Sequence, residues 1–417
     1  MDELKGKKLL ILGSTSRTID FVNYAREMGV YSIVTDWNDP SNAPVKLAAD
    51  EHWEVSLMDY DELAKRIKTN HVDGVITGFT DSYLLPYQHL CEICGLPYYA
   101  TKELLEKTLD KSKFKKMCRE SGVPVVPEYT LEDINLKTIS QDNKVIIKPV
   151  DNSGSRGIII CDNPKDFHAC VDYSLNHSSK KQVIIEKYVD MDSISMSYTI
   201  QDGVVSLSTI NDSIIHKSPG VGGVTCGSVY PSKYTHAYIE KVDPLVRRML
   251  SNNGFVNGVL FIQAFTNGAD FYLLEMGYRL SGGRHYVWTE YENDTNAARQ
   301  LIHFAITGKM ADYNISTRDT PLFKDFCCRV YILGKEATIA RIEGEEYLRS
   351  MPQTIDFFLN KGVGDTIGPD GTTAQQIAII NFVAKDKDDF DSIVKQIENN
   401  FHVYDAEGND LVLNLLR

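Results

Sequence analysis

VIIKPVDNSGSRGIII, residues 145–160, sets two apolar runs on either side of a polar stretch. The first run ends in Lys148 and Pro149, the middle carries Ser153, Gly154, Ser155 and Gly157, and the chain then returns to isoleucines. The pattern predicts strand, small-residue loop and strand. Such a loop can lay backbone N–H groups and small hydroxyls along a phosphate chain without side-chain obstruction, and Lys148 puts a positive charge where that phosphate would arrive. Taken alone, a β-hairpin is the simpler reading. The surrounding chain has to decide.

Immediately upstream, LDKSKFKKMCRESGVP repeats apolar positions at helical spacing (Leu109, Phe114, Met117, Cys118), and Gly122 and Pro124 stop the helix. Lys111 falls in its first turn, where the helix dipole disfavours a cation unless an anion sits there too. A solvated lysine is the ordinary alternative. Downstream, VIIEKYV is an apolar strand carrying Glu186 and Lys187, with peptide groups available for a planar base once pairing stops. Residues 194–200 and 204–210 predict a hairpin about Asp202-Gly203. The Gly- and Ser-rich segment 214–232, with His216 and Lys217, reads as a functional loop, because long loops in compact domains are more often used than idle.

VNGVLFIQAFTNGADFYLLEMGYRLSGG, from Val256 to Gly283, predicts a second hairpin. If Thr266 pairs with Asp270, Gln263 faces Leu273, with Glu275 its diagonal neighbour on the same face. Two oxygen donors there, with Arg279 just beyond the strand, suit a Mg2+–phosphate site. A Glu275–Arg279 ion pair is the structural alternative.

At the N-terminus, KKLLIL and YSIVTD are strands that alternate with the helices TIDFVNYAREMG and DYDELAKRIKTN, followed by VDGVITG and the helix LLPYQHLCEICG. This alternation predicts βαβ units and a parallel, three-layer domain. The turn at Gly13 lacks the further glycines of a dinucleotide fingerprint, so Asp36 is not assigned to a ribose. From about residue 320, strands interleave with two helices, and no chemistry-bearing cluster is read there.

The chain has 417 residues, 43% hydrophobic and 24% charged, with a formal net charge of −13. That balance argues against a nucleic-acid-binding surface. No apolar run approaches the ~18 residues of a membrane span, and MDELKGKK is no signal peptide, so the expected address is cytoplasmic. Eight scattered cysteines predict free thiols, Cys91 and Cys94 included.

Taken in order, DK-x-x-F-K from Asp110, VIIKP with its Gly/Ser stretch, IIEKYV, and the E-x-x-x-R of EMGYRLSGG resemble the ATP-grasp family up to about residue 310. The resemblance implies a multidomain fold of mixed α/β and α+β class. Its parts are a parallel α/β domain over 1–105, a two-lobed nucleotide domain over 106–318 with a mobile lid at about 120–190, and an α+β subdomain over 319–417. It implies ATP with Mg2+ (or Mn2+) between the lobes. Lys111 and Lys148 would contact phosphates, and Ser153, Gly154, Ser155 and Gly157 would fold over them. Glu186, Lys187 and Val189 would meet adenine, and Asp192 stands where the family has a ribose-binding glutamate. Gln263 and Glu275 would ligate the metal, and Arg279, with Lys148, would steady the transferred phosphate. His216, Lys217, Ser281, Gly282 and Arg284 are the candidates for substrate contact. The chain departs from the pattern at Gly277, where the family has an asparagine, so a second ion loses a ligand.

The implied reaction activates a carboxylate as an acyl phosphate, which an amine then displaces: an ATP-dependent carbon–nitrogen ligase. Two alternatives stand beside it. One is an enzyme acting on bicarbonate, similar to carbamoyl-phosphate synthase or biotin carboxylase; the other is a nucleotide-binding regulatory protein without turnover. Expected partners are small-molecule carboxylates and amines, with a homodimer admitted, and neither nucleic acid nor membrane.

Overall fold

The computed structural model describes residues 3–132, 134–140, 142–151, 157–216 and 223–413. Four parallel strands open the chain: β1 (Lys8–Leu12), β2 (Tyr31–Asp36), β3 (Glu51–Glu54) and β4 (Gly74–Ile76), in the order β3-β2-β1-β4. Leu9, Leu10, Ile11 and Leu12 are all buried, as a strand covered on both faces requires. Helices Thr18–Glu27 and Ala297–Thr307 pack together against this sheet, and Leu84–Cys94 also packs on it, with Tyr60–Thr69 against that helix. Gly74 permits one of these contacts, since a Cβ there would lie 2.3 Å from the Ala305 carbonyl oxygen. The helix Ala297–Thr307 thus returns from late in the chain to roof the first sheet. Strand β3 was not anticipated from the sequence, nor was the helix Lys102–Leu109.

A small antiparallel sheet follows: β5 (Glu128–Tyr129), β6 (Val145–Pro149), β7 (Ile159–Cys161) and β8 (Val183–Lys187), in the order β5-β8-β6-β7. It has its own core, including Ile139, Val145, Ile147, Phe167, Val171 and Ile185. The opening stretch is therefore a strand pair, with Val145 opposite Cys161 and Ile147 opposite Ile159. Its Ser153, Gly154 and Ser155 lie outside the described residues, as does Lys217.

The large sheet uses β9 (Asp192–Gln201), β10 (Val204–His216), β11 (Val224–Tyr230), β12 (Gly258–Thr266), β13 (Phe271–Gly277) and β14 (Phe326–Leu333). A short pair, β15 (Arg341–Glu343) and β18 (His402–Tyr404), stands apart, while β16 (Thr354–Leu359) and β17 (Gln376–Ala384) complete the large sheet. Its order is β13-β12-β9-β10-β11-β14-β17-β16. The tail therefore extends the same sheet that carries the Gln263 and Glu275 strands. The β9–β10 hairpin turns at Asp202 and Gly203 with φ of 49° and 81°, the two positive angles of a type I′ turn. All eight cysteines are free thiols. Among the described residues no helix is long and apolar enough to cross a membrane.

Candidate active site

Helix Lys111–Glu120 starts with Asp110 as its N-cap, accepting from the Ser112 and Lys113 amides. Lys111 at its first position would be disfavoured alone, but Glu275 Oε2 of β13 lies 3.5 Å from its Nζ. The anion that the sequence demanded is thus partly supplied by the protein. One turn on, Lys115 is 1% exposed and contacts Glu186 of β8 and, at 3.2 Å, Glu128 of β5. Lys148 of β6 donates to the other Glu186 oxygen at 2.7 Å, and Arg119 reaches Glu128 at 2.9 Å. Glu186 thus holds a lysine on each oxygen inside a buried array. Burial, with the nearby Lys115 and Lys111 cations, pushes the Lys148 ammonium down to about 7, against the pull of Glu275. Burial likewise lowers Lys115.

Lys115, the last residue of DK-x-x-F-K, was given no role from sequence, and Glu128 was not singled out. The signal was present: 111, 115 and 118 share one helical stripe, and a lysine inside a buried stripe needs a carboxylate. Asp81 was not singled out either. It follows the C-terminal end of β4, where open parallel sheets build their sites, and it takes Arg279 bidentately at 2.6 and 2.7 Å. The Arg279 guanidinium also lies over the Phe261 ring at 5.1 Å.

The candidate metal pair, Gln263 and Glu275, differs from expectation in register. Thr266 pairs with Phe271, not Asp270, and an irregularity between Gln263 and Ala264 skips Leu274. Gln263 therefore stands directly opposite Glu275. Among the described residues no group of three His, Cys, Asp or Glu side chains converges to hold a metal. An amide and a carboxylate from neighbouring strands nevertheless fit Mg2+, which keeps water and substrate phosphates in its shell instead of demanding an all-protein cage.

Gly277 has a local cause. It pairs with Phe261, and a Cβ there would lie 2.3 Å from the ring. The family's asparagine cannot stand at 277 while Phe261 occupies that space beneath Arg279. Gly277→Asn is expected to cost about 1–3 kcal/mol as an overpacked substitution, read as a lower urea midpoint. Adding Phe261→Ala should recover part of it; an unchanged midpoint for the single variant would show that the ring yields freely.

Gly157 has φ of +78°, and a Cβ would lie 2.4 Å from His177 Cβ and 2.8 Å from Pro149, so packing alone requires glycine there. The Lys187 amide donates to Pro127 and that of Tyr188 to Lys144, which makes Val189 the first residue past the pairing of β8. Asp192 accepts from Tyr234 at 2.6 Å and pairs with Lys233 at 2.7 Å, contacts that hold its carboxyl below the usual range. His216 ends β10 opposite Val224. Ser281 Oγ meets His285 Nδ1 at 3.2 Å, and Gly282 faces Arg17. Arg284 is engaged by Asp20 at 2.7 and 3.1 Å and by Asp356. Asp36 is filled by Ser14, Asn38 and Lys46.

Residues 108–283 match the family model for an ATP-grasp domain. The chain is 24% identical over 409 residues to an uncharacterized protein, y4rH, of Sinorhizobium fredii, covering 94% of this chain and 82% of that protein. It is 22% identical over 284 residues to the formate-dependent phosphoribosylglycinamide formyltransferase of Prochlorococcus marinus, covering 66% of this chain and 70% of that one. In fold it resembles phosphoribosylglycinamide synthetase from Anaerococcus prevotii, with a TM-score of 0.74 and 16% identity over 96% of this chain and 100% of that one.

Proposed function

Residues 108–283 are an ATP-grasp domain, and on that premise we propose that the chain is an ATP-dependent carboxylate–amine ligase. The observation that carries this reading is the convergence of Lys111, Lys148, Glu275 and Gln263 on one side and Arg279 at the end of the same strand. The formyltransferase and synthetase names are compatible with joining a carboxylate to an amine.

In this reading Lys148 leaves Glu186 to meet a phosphate, and Lys115 stays on the other carboxylate oxygen, so Glu186 is never an uncompensated buried charge. Gln263 and Glu275 would hold Mg2+, which supplies charge neutralisation at the phosphates. A substrate carboxylate oxygen bonds to the γ-phosphorus, and the bond from that phosphorus to the bridging oxygen breaks, releasing ADP. The amine nitrogen then bonds to the acyl carbon, inorganic phosphate leaves, and the nitrogen's proton passes to solvent. Lys111, Lys148 and Arg279 position and neutralise throughout, and no protein nucleophile is required.

The test is ADP and phosphate release from Mg-ATP against pools of amino acids and small carboxylates. Release that needs both a carboxylate and an amine is the expected result. Tight ATP binding with no pool stimulating turnover would overturn the ligase reading, and release driven by bicarbonate alone would replace it with a carboxylase-type reaction.

A further inference from the structure

We propose that Arg17 and Arg329 flank a binding site for a second oxyanion on the substrate, a carboxylate or phosphate distinct from the carboxylate that is activated. The proposal deepens the ligase reading and rests on it for the word substrate.

Four guanidinium groups gather where the turn after β1, the segment after β13 and strand β14 meet. Two have carboxylate partners: Arg279 with Asp81, and Arg284 with Asp20 and Asp356. The other two have none among the described residues. Arg329 is 2% exposed; its Nε donates to Asn381 at 3.0 Å and its Nη1 to Tyr230 at 2.8 Å, while its Nη2 is buried without a hydrogen-bond partner among the described residues. Arg17 donates through Nη2 to Gln376 at 3.2 Å, and its Nε is likewise buried and unsatisfied.

A buried guanidinium with neutral partners and a spare N–H is costly unless an anion completes it. Glycine lets the two guanidinium groups pack close to the chain at this corner. A Cβ on Gly282 would lie 3.3 Å from the Arg17 guanidinium carbon, and one on Gly283 would lie 2.8 Å from both Arg329 Nη1 and the Tyr331 hydroxyl. A side chain at either glycine would press on the arginine beside it and disturb the pair. Burial, with the cations of Arg284 and Arg279 adding to it, pulls the Arg17 pKa down, against the influence of Tyr331. An arriving anion relieves that strain. His285 adds no competing charge, because burial and Arg329 hold its imidazole neutral, down to about 3.

The chemistry selects the ligand class. Paired N–H donors of a guanidinium match two oxygens of a carboxylate or phosphate, and two such forks with a phenol hydroxyl suit a fully desolvated oxyanion. Gly282 follows Arg279 by three residues, and Arg17 lies close enough to Arg279 to feel its charge. A dicarboxylic or phosphorylated substrate fits this arrangement, and a simple neutral amino acid leaves the arginines unmatched.

The experiment titrates inorganic phosphate and, separately, malonate into the full chain saturated with Mg-adenylyl imidodiphosphate, followed by calorimetry. Wild type should bind at least one of them, and the preferred anion identifies phosphate or carboxylate as the group. Arg17→Gln should weaken that binding by at least about tenfold, and Arg17→Lys should fall between, because the charge stays while the fork is lost. Nucleotide affinity and thermal midpoint should stay near wild type in both variants. Failure of wild type to bind either anion at ~50 mM, far above the millimolar Kd worth ~4 kcal/mol that such a site should reach, would overturn the site. So would Arg17→Gln binding as well as wild type. A wild type that binds no nucleotide sinks the ATP-site reading alone, since the same titrations without nucleotide are judged by the same Arg17 contrast.

Discussion

Glu275→Gln is expected to lower ATP-dependent turnover by roughly 10²–10³-fold or more while leaving the fold intact. The substitution keeps shape and strand pairing, so the register that sets Gln263 opposite residue 275 survives. What disappears is the charge. Two facing amides are poor ligands for a hard divalent cation, and Lys111 loses the carboxylate now 3.5 Å away. Nucleotide affinity without metal should therefore hold or rise, while the Mg2+ needed for half-maximal rate rises. ADP release across a Mg2+ titration, beside calorimetric nucleotide affinity, separates the two effects. Wild-type turnover in this variant would disprove the metal assignment.

Arg284→Met should cost about 3–5 kcal/mol, the usual consequence of breaking a buried charge pair from one side. Arg284 is 4% exposed and tied to Asp20 of the first helix and to Asp356 of β16, and its guanidinium lies over the Phe358 ring at 4.4 Å. Methionine keeps much of the volume and strands both carboxylates. Urea unfolding followed by tryptophan fluorescence should show an earlier transition. Adding Asp20→Asn and Asp356→Asn should restore part of the loss, because the orphaned charges leave with their partner. A single variant as stable as wild type would mean that these carboxylates reach water once the arginine is gone. On this reading Arg284, a candidate for substrate contact from sequence, acts as a fastener between the first helix and β16.

Where local pattern decides structure, the sequence was informative. The strand Tyr31–Asp36 and the turn at Asp202-Gly203 sit where apolar runs and turn chemistry put them. Strand β3, EHWE, was invisible because it is an edge strand with only Trp53 buried, so no apolar alternation marks it. The Gln263–Glu275 register was missed by two residues: the turn pairs Thr266 with Phe271 instead of Asp270, and a bulge set by packing within the sheet adds the second. The candidate phosphate, adenine and metal residues could be singled out from sequence because each belongs to a short ordered motif. The roles of Lys115, Asp81, Arg17 and Arg329 were not, since their partners or neighbours come from other elements: Glu186, Arg279, and the close-packed Gly282 and Gly283.

The junction of β11 with β14 has a consequence for how the protein is made. Strand β11 ends at Tyr230, yet the neighbour that covers its open edge begins only at Phe326. At synthesis rates of about 5–20 residues per second, the ribosome needs roughly 5–20 s to deliver that partner. During the interval a half-built sheet presents an unpaired edge, the template on which nascent chains stick to one another. Truncation before residue 326 would make that interval permanent, so the last quarter of the chain serves as its own aggregation guard.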